Sequence, residues 1–206
     1  AVPAGEPLPP LPDTLWRYRV DHRRVVTGSA FSSGGNLFAW ARRELRLPDG
    51  PELDAALERV QTGRGLWADP RFGGDRPPGQ APAGSGQLVG LSFDTTAVDV
   101  LAALMNGVCQ QICGALSVIE STVRRQVDVV LGGGALAASR WWRQAFQAAL
   151  APRSVRRIAN PEIAATGAGL LALGLIDDPK WSARAIGWMD DVDSPGPTGR
   201  DQPATP

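Results

Sequence analysis

The sequence has few of the residues that build metal centres and disulfide frameworks. It contains one histidine, His22, and two cysteines, Cys109 and Cys113, among 206 residues. The cysteines lie four positions apart in a predicted helix, so they share one face, and we expect reduced thiols that pack as small apolar groups. Structural zinc needs about four such ligands. The sequence therefore predicts no metal site formed by protein side chains.

Charge of one sign and long apolar runs are also scarce. The 21 basic and 21 acidic residues give a formal net charge of zero, and no basic block suggests nucleic acid as a partner. The apolar stretch at 163–176 is too short to cross a bilayer as a helix, and the first 13 residues lack the basic and apolar regions of a signal peptide. We expect a cytoplasmic protein with neither nucleic acid nor membrane as a partner.

What is present is typical of a soluble globular domain, with 43% hydrophobic and 20% charged residues. Residues 1–14 are rich in proline and are predicted to be an extended segment that continues from an N-terminal domain. Residues 15–176 are predicted to form one folded domain. Residues 177–206 are predicted to be a polar tail that is largely disordered from about 193.

The apolar periodicity predicts an α/β fold with a mixed sheet flanked by helices. A β-hairpin is expected at 15–31, then two helices, a surface loop at 63–86 anchored by Trp67 and Phe72, and a strand at 88–93. The longest helix should begin at Thr95 or Thr96 and form the core. A central strand at 127–131, a helix and a strand at 155–158 follow. The last helix is expected to begin near Asn160 and, because it is rich in small residues, to pack tightly.

Three consecutive glycines join the strand at 127–131 to the next helix. Gly132, Gly133 and Gly134 allow positive φ angles and close approach of a ligand, and the amides that begin a helix attract negative charge. The spacing matches neither a Walker A loop nor a Rossmann turn. The residues alone leave two interpretations open, a nucleotide-contacting turn or a tight turn packed on its helix.

Four stretches, taken in order, resemble the C-terminal domain of the FGGY carbohydrate kinases. Residues 28–40 (GSAFSSGGNLFAW) resemble the family's G-x-x-x-x-x-G-G-x-x-x-x-W, and residues 74–78 (GDRPP) resemble its G-E-R-x-P loop. Residues 132–144 (GGGALAASRWWRQ) resemble its G-G-G-x-x-S-x-x-W-x-Q turn, and residues 162–172 (EIAATGAGLLA) resemble its E-x-x-x-x-G-A-x-x-x-A helix. The chain departs from the family in one extra residue before Ser139, in Asp75 for Glu, and in Gly169 for Ala.

The resemblance implies the actin-like (RNase H-like) ATPase fold and transfer of the γ-phosphoryl group of ATP to a sugar or polyol, with gluconate or a pentulose preferred. It places five residues along the adenosine side of ATP or ADP, with Mg²⁺ held through the phosphates, and so favours the nucleotide interpretation of the turn. These residues are Gly132, Gly133, Gly134, Ala135 and Ser139.

The resemblance also implies what this chain does not supply. In the family the general base and most sugar contacts belong to an N-terminal domain, so no residue here is assigned as catalytic, and the chain alone is expected to be inactive. A homodimer is compatible with the family. The alternatives are a non-catalytic nucleotide-binding or regulatory module of the actin-like kind, and a structural remnant without a ligand.

Overall fold

The computed structural model describes residues 8–60, 65–76, 82–158, 160 and 162–181, together with the backbone of Met189–Asp191. It divides into unit 1, Ala1–Val127, and unit 2, Asp128–Pro206. Nothing in the sequence pattern predicted a division at this point. The two units are described separately below.

Unit 1 begins with the predicted hairpin, which is confirmed. Strands β1 (Trp16–Arg19) and β2 (Val25–Gly28) pair in antiparallel fashion, with Trp16 opposite Gly28. Asp21 closes the turn between them, because its Oδ1 accepts hydrogen bonds from the amides of Arg23 at 2.7 Å and Arg24 at 2.8 Å. Such a carboxylate cap is a frequent turn device, and it explains why the charged DHRR segment reverses the chain.

Three helices form the core of unit 1. Helices α1 (Gly35–Glu44) and α2 (Gly50–Glu58) pack on the long helix α3 (Ala97–Val123). The first two each bury one apolar stripe, as the 3.6-residue periodicity predicts. The buried side chains of these stripes are Leu37, Ala41, Leu53 and Leu57.

Helix α3 starts with the capping box that its sequence predicts. The amide of Asp99 donates to Thr96 Oγ1 at 3.2 Å, and the amide of Thr96 donates to Asp99 Oδ2 at 2.9 Å. Each side chain thereby satisfies one amide at the helix start. The prediction that the core helix begins at Thr95 or Thr96 is confirmed, with Thr96 as the cap.

Only the first half of α3 lies in the core. Its fully buried residues all fall between positions 101 and 109: Leu101, Ala102, Leu104, Met105, Gly107, Val108 and Cys109. The predicted apolar stripe continues to position 119, but Ile112 is 38% exposed and Leu116 and Ile119 are half-buried. The prediction of a core helix along the whole stripe is therefore too broad.

The two cysteines of α3 are free thiols, as expected. Cys109 is buried and Cys113 is half-buried. The hydrogen bond with Cys113 and, after it, burial both raise the pKa of the Cys109 thiol. Cys109 is therefore a protonated packing group rather than a nucleophile.

Helix α3 is also the one helix of the described chain that is long and apolar enough to cross a membrane by length and composition. The sequence analysis considered only residues 163–176 for such a span. In unit 1 the helix instead packs on β2, α1, α2 and a further strand described next. The first half of α3, which holds all of its buried residues, packs as a core helix.

The segment predicted as a surface loop contains a strand, so that part of the prediction is wrong. Strand β3 (Trp67–Asp69) pairs in antiparallel fashion with β4 (Gln87–Val89). Trp67 was expected to anchor this segment, but it is 48% exposed, whereas Ala68 and Asp69 are buried. A strand of three residues, of which one is small and one acidic, is too short to show the alternation of apolar and polar side chains that predicts a strand. Phe72 does act as an anchor, because the centroid of its ring lies 5.0 Å from the ring centroid of Trp40.

Strand β4 is shorter than the predicted 88–93. Gly90 follows it with φ of +92°, and a Cβ there would lie 2.1 Å from the carbonyl oxygen of Gly65. The chain leaves the sheet at this glycine, and Phe93 is fully exposed. A side chain at position 90 would prevent this close approach.

An ion-pair network orders the chain between β3 and the GDRPP motif. Arg71 Nε donates to both carboxylate oxygens of Asp69, at 2.9 and 3.0 Å, and its Nη1 lies 3.7 Å from Asp75 Oδ2. The hydrogen bond from Arg71 lowers the pKa of Asp69. Arg71 thus joins Asp69 of β3 to Asp75 of the GDRPP motif.

Unit 2 is built on a mixed three-stranded sheet, which confirms the predicted sheet type. Strand β5 (Val129–Leu131) is parallel to β6 (Val155–Ile158), and β6 is antiparallel to β7 (Met189–Asp191). The sequence predicted the strand ending at Leu131 as central, but within the described strands the central one is β6. β7 belongs to the segment that was predicted as a polar tail, and residues 192–206 lie outside the described chain.

Helices α4 (Gly134–Ala138) and α5 (Arg140–Leu150) connect β5 to β6, and α6 (Ile163–Ala172) follows. Before α6, Asn160 Oδ1 accepts from the amide of Glu162 at 2.9 Å. Glu162 occupies the cap position, so the helix begins two residues later than a cap at Asn160 would place it. Pro161 lies outside the described residues. The tight packing predicted for α6 is wrong, because none of its residues is buried and no described atom approaches Gly167 or Gly169.

Candidate nucleotide-contacting turn

The three glycines form the corner between β5 and α4, as predicted. Leu131 ends the strand as a buried residue, and Gly133 precedes α4 with φ of +106°. This angle is rarely adopted by residues with a side chain, so glycine is required at position 133 by the backbone itself. Gly134 then begins α4 with an ordinary φ.

The space around the corner bears on the two interpretations of the glycines. A Cβ added at Gly133 or Gly134 would meet no described atom within 4 Å, and one added at Gly132 would make an ordinary contact of 3.5 Å with Ile163. Packing on the next helix therefore does not explain why positions 132 and 134 lack side chains. Gly132, Gly134 and Ala135 are exposed, and Gly133 is partly exposed. The main chain of the turn is accessible to a ligand.

Ser139 separates two helices where the sequence predicted one. The amide of Ser139 donates to the carbonyl oxygen of Ala135 at 3.2 Å and so ends α4. Its Oγ accepts from the amide of Trp142 at 3.2 Å and so begins α5. The hydroxyl hydrogen is not used in this cap, so a half-buried Ser139 retains a donor for a ligand.

Arg143 is a functional candidate that the sequence analysis missed. It is only 8% exposed, and its Nη1 donates to the carbonyl oxygens of Leu136 at 2.7 Å and Ala137 at 2.9 Å. Burial, followed by the charges of Arg157 and Arg140, lowers the pKa of Arg143. Arginine nevertheless stays charged in proteins. The available signal was compositional, because α5 contains two arginines and no acidic residue.

Strand β6 of the same unit carries two further arginines. Arg157 on β6 is 4% exposed, and Arg156 lies 3.8 Å from Asp128. Among the described residues, no three histidine, cysteine or acidic side chains come together to hold a metal ion. The turn is therefore an exposed stretch of main chain with the guanidinium of Arg143 bound to the carbonyls of the helix that follows it. This arrangement is suited to contact a polar, anionic ligand.

A family model matches residues 10–174, and it is that of the C-terminal domain of the FGGY family of carbohydrate kinases. The match covers most of the 206 residues. The chain belongs to this family. The enzymes of the family are carbohydrate kinases that use ATP.

Individual relatives agree with this membership. A glycerol kinase of Alteromonas mediterranea is 30% identical over 158 residues, which are 75% of this chain and 31% of that protein. A xylulose kinase of Streptomyces coelicolor is 32% identical over 199 residues, which are 89% of this chain and 40% of that protein. The chain thus spans roughly a third of the length of the FGGY kinases that it matches.

Solved structures of FGGY kinases share the fold. Gluconate kinase of Lactobacillus acidophilus superposes with a TM-score of 0.66 at 23% identity, over 89% of this chain and 38% of that chain. Plasmodium falciparum glycerol kinase, solved with ADP, gives a TM-score of 0.68 at 18% identity, over 89% of this chain and 38% of that chain. The predicted actin-like ATPase fold is confirmed. The contact of Gly132, Gly133, Gly134, Ala135 and Ser139 with nucleotide stays a prediction.

Proposed function

We propose that this chain is the nucleotide-side part of an ATP-dependent carbohydrate kinase that transfers the γ-phosphoryl group of ATP to a hydroxyl of a sugar or polyol. The main support is the family match over residues 10–174. In phosphoryl transfer the protein contributes chiefly position and charge stabilisation. An accessible, conformationally fixed main-chain turn is suited to the first of these tasks.

The nucleotide contact is assigned to Gly132, Gly133, Gly134, Ala135 and Ser139. The absence of side chains at 132–134 lets a ligand reach the backbone, and the Ser139 hydroxyl supplies a donor. Helix α4 has only five residues, so we assign the contact to these groups rather than to a helix dipole. Mg²⁺ is expected to bind through the phosphates of ATP, since it retains several waters and needs only one or two protein carboxylates.

The acceptor is proposed to be a sugar or polyol bound mainly by parts of the enzyme other than this chain. The relatives include kinases of glycerol, xylulose and apulose. The motif at 28–40 is the feature by which the sequence analysis favoured gluconate or a pentulose. The full enzyme is proposed to act in the cytoplasm, and a homodimer is compatible with the family.

Amide chemical-shift mapping with ADP and with adenosine tests the nucleotide assignment. A few neutral hydrogen bonds of about 0.5–1.5 kcal/mol each give a dissociation constant on the order of millimolar. We expect shifts centred on residues 132–139. Gly134→Val should weaken binding about fivefold or more, because it places a branched side chain at the turn without backbone strain.

Gly114→Val is the matched control. Gly114 also has open space around it but lies on α3 in unit 1, so this variant should leave the nucleotide affinity unchanged. Shifts confined to other residues, or equal affinity in Gly134→Val and the parent chain, would overturn the site. No ADP-dependent shift at all would favour the structural-remnant alternative.

A further inference from the structure

The guanidinium of Arg143 is held by main-chain carbonyls rather than by a carboxylate. In the described chain its hydrogen bonds go to Leu136 O and Ala137 O, and its Nε is buried without a partner. A buried charge is costly when it is not paired with an opposite one. A leucine or methionine would fill the same space without this cost, so the arginine needs an explanation beyond packing.

The carbonyls that Arg143 binds belong to a helix too short to stabilise itself. A helix leaves its last four carbonyls without intrahelical donors, and α4 has five residues in all. At its two ends, the Ala137 amide donates to the carbonyl of the cap residue Gly133 at 3.0 Å, and the amide of the other cap residue, Ser139, donates to Ala135 at 3.2 Å. Arg143 supplies the donors that this end lacks. It therefore fixes α4 against α5.

This arrangement links Arg143 to the glycine turn. Gly133 is the residue that precedes α4, and its carbonyl accepts the first hydrogen bond of that helix. If α4 loosens, the orientation of the peptides at 133–135 loosens with it. The side chain that holds one end of α4 thus controls the conformation at the other end.

We propose that Arg143 is a positioning residue for the nucleotide, which fixes the Gly132–Ala135 backbone through the carbonyls of Leu136 and Ala137. Its positive charge, which pairs with no carboxylate among the described residues, also lies near this backbone. The inference rests on the proposed function of the turn. It has two separable parts: two hydrogen bonds from a planar guanidinium, and a charge. A lysine retains the second but cannot reproduce the two-carbonyl contact.

The test uses the 206-residue chain in three variants. Arg143→Met removes contact and charge, Arg143→Lys removes the contact and retains the charge, and Arg140→Met removes an equal charge from an exposed residue of the same helix. Thermal unfolding establishes that each variant is folded at the working temperature. If Arg143→Met does not fold, Arg143→Lys carries the test.

The first readout is amide hydrogen exchange, which is independent of any ligand. We expect Arg143→Met and Arg143→Lys to raise the exchange rates of the Ala137 and Ser139 amides about tenfold or more, with no comparable change in α3. Arg140→Met should change the exchange rates of these two amides by no more than about twofold. Unchanged exchange in folded Arg143→Met or Arg143→Lys overturns the proposal whether or not nucleotide binds.

The second readout is affinity for ADP and adenosine. Arg143→Met should weaken the binding of ADP about tenfold and the binding of adenosine less, because only ADP responds to the lost charge. Arg143→Lys retains the charge, so it should weaken the binding of both ligands to a similar extent. Arg140→Met should change either by no more than about twofold. Absence of ADP binding by the parent chain would refute the proposed function. Faster exchange with undiminished ADP affinity would refute a role of Arg143 in binding.

Discussion

Gly107 is a residue at which α3 approaches β3 closely. A Cβ at this position would lie 2.5 Å from the carbonyl oxygen of Ala68 and 3.2 Å from Pro70 Cδ. Because the first obstacle is backbone, the helix and the strand would have to separate. We expect Gly107→Ala to lower the free energy of unfolding by about 1–3 kcal/mol, measured by urea denaturation.

Gly114 on the same helix provides the control for this prediction. No described atom lies within 4 Å of a Cβ added there. Gly114→Ala should therefore raise the free energy of unfolding by about 0.5–1 kcal/mol, through helix propensity alone. Equal effects of the two substitutions would contradict the close approach between α3 and β3.

Asp69 is a buried carboxylate whose charge is retained by Arg71. It accepts from the Arg71 amide at 3.1 Å as well as from the guanidinium. Asp69→Asn should therefore cost about 1.5–3 kcal/mol of unfolding free energy at pH 7. The exposed Asp54 on α2 is the comparison, since Asp54→Asn should change stability by less than about 0.5 kcal/mol.

The same contact predicts a pH dependence. Arg71 lowers the pKa of Asp69 in the folded state, so the folded protein binds this proton less readily than the unfolded chain, whose Asp pKa is about 3.9. The stabilisation is present above about pH 3.9 and is lost as the pH falls through the lower, folded pKa. The difference in urea midpoint between the parent chain and Asp69→Asn should be constant from about pH 7 to 5 and shrink below about pH 4. A difference in urea midpoint that stays constant down to about pH 3 would contradict the predicted contribution of ionised Asp69 to stability.

These residue contacts could not be read from the sequence. Gly107 and Ala68 are far apart along the chain, and a glycine in a helical pattern indicates a close approach without naming the partner. Asp69 and Arg71 lie close in sequence, but an acidic residue two positions from a basic one is usually a solvated surface pair. The strand that buries Asp69 was itself missed, and the burial of Asp69 was missed with it.

At the scale of elements, the break at Ser139 makes a prediction that separates capping from ligand contact. Ser139→Ala removes the cap of α5 and should cost about 1 kcal/mol of stability, whereas Ser139→Asp retains a good capping oxygen. Ser139→Asp should also repel a diphosphate and lack the donor hydrogen. We expect Ser139→Asp to remain as stable as the parent chain but to bind ADP about fivefold more weakly.

Urea denaturation and ADP titration of both variants check this prediction. Ser139→Asp serves as its own stability control, because its cap is preserved. Undiminished ADP affinity in Ser139→Asp would show that Ser139 is a helix cap and nothing more.

The helices show where sequence patterns succeed and where they fail. The Thr96 capping box is local, so its residues alone located the start of α3. The break at Ser139 was missed because apolar residues keep nearly helical spacing on both sides of it. A single serine is weaker evidence for a new helix start than this spacing is for one continuous helix. In α6, composition suggested tight packing, but small residues permit close approach without requiring it. The structure leaves none of them buried.

At the scale of the whole molecule, the 206-residue chain alone should not phosphorylate sugars or polyols. It spans 31% of the Alteromonas glycerol kinase that it matches, and general-base catalysis needs a group within hydrogen-bond reach of the acceptor hydroxyl. A coupled assay for ADP release with glycerol, xylulose and gluconate should give the rate without acceptor. Acceptor-dependent ADP release that disappears in Gly134→Val would contradict this expectation.

Family membership was the most predictable property of the molecule, because it depends on the order of four motifs rather than on any one contact. The glycine corner was located correctly because an apolar strand pattern and a helical pattern meet at three consecutive glycines. The division after Val127 had no signal, since α3 and β5 are joined without a proline- or glycine-rich linker. Sequence composition marks flexible connections between units, and this boundary is not of that kind.

Strand β7 has a practical consequence for how this protein can be shortened. The residue pairs Arg156–Asp191 and Ile158–Met189 place Met189–Asp191 along one side of β6. A gene product that stops at residue 181 would leave the main-chain donors and acceptors on that side of β6 open, and open strand edges recruit strands from other molecules. Residues that look dispensable by composition therefore protect the sheet from self-association, and expression boundaries should be placed beyond Asp191.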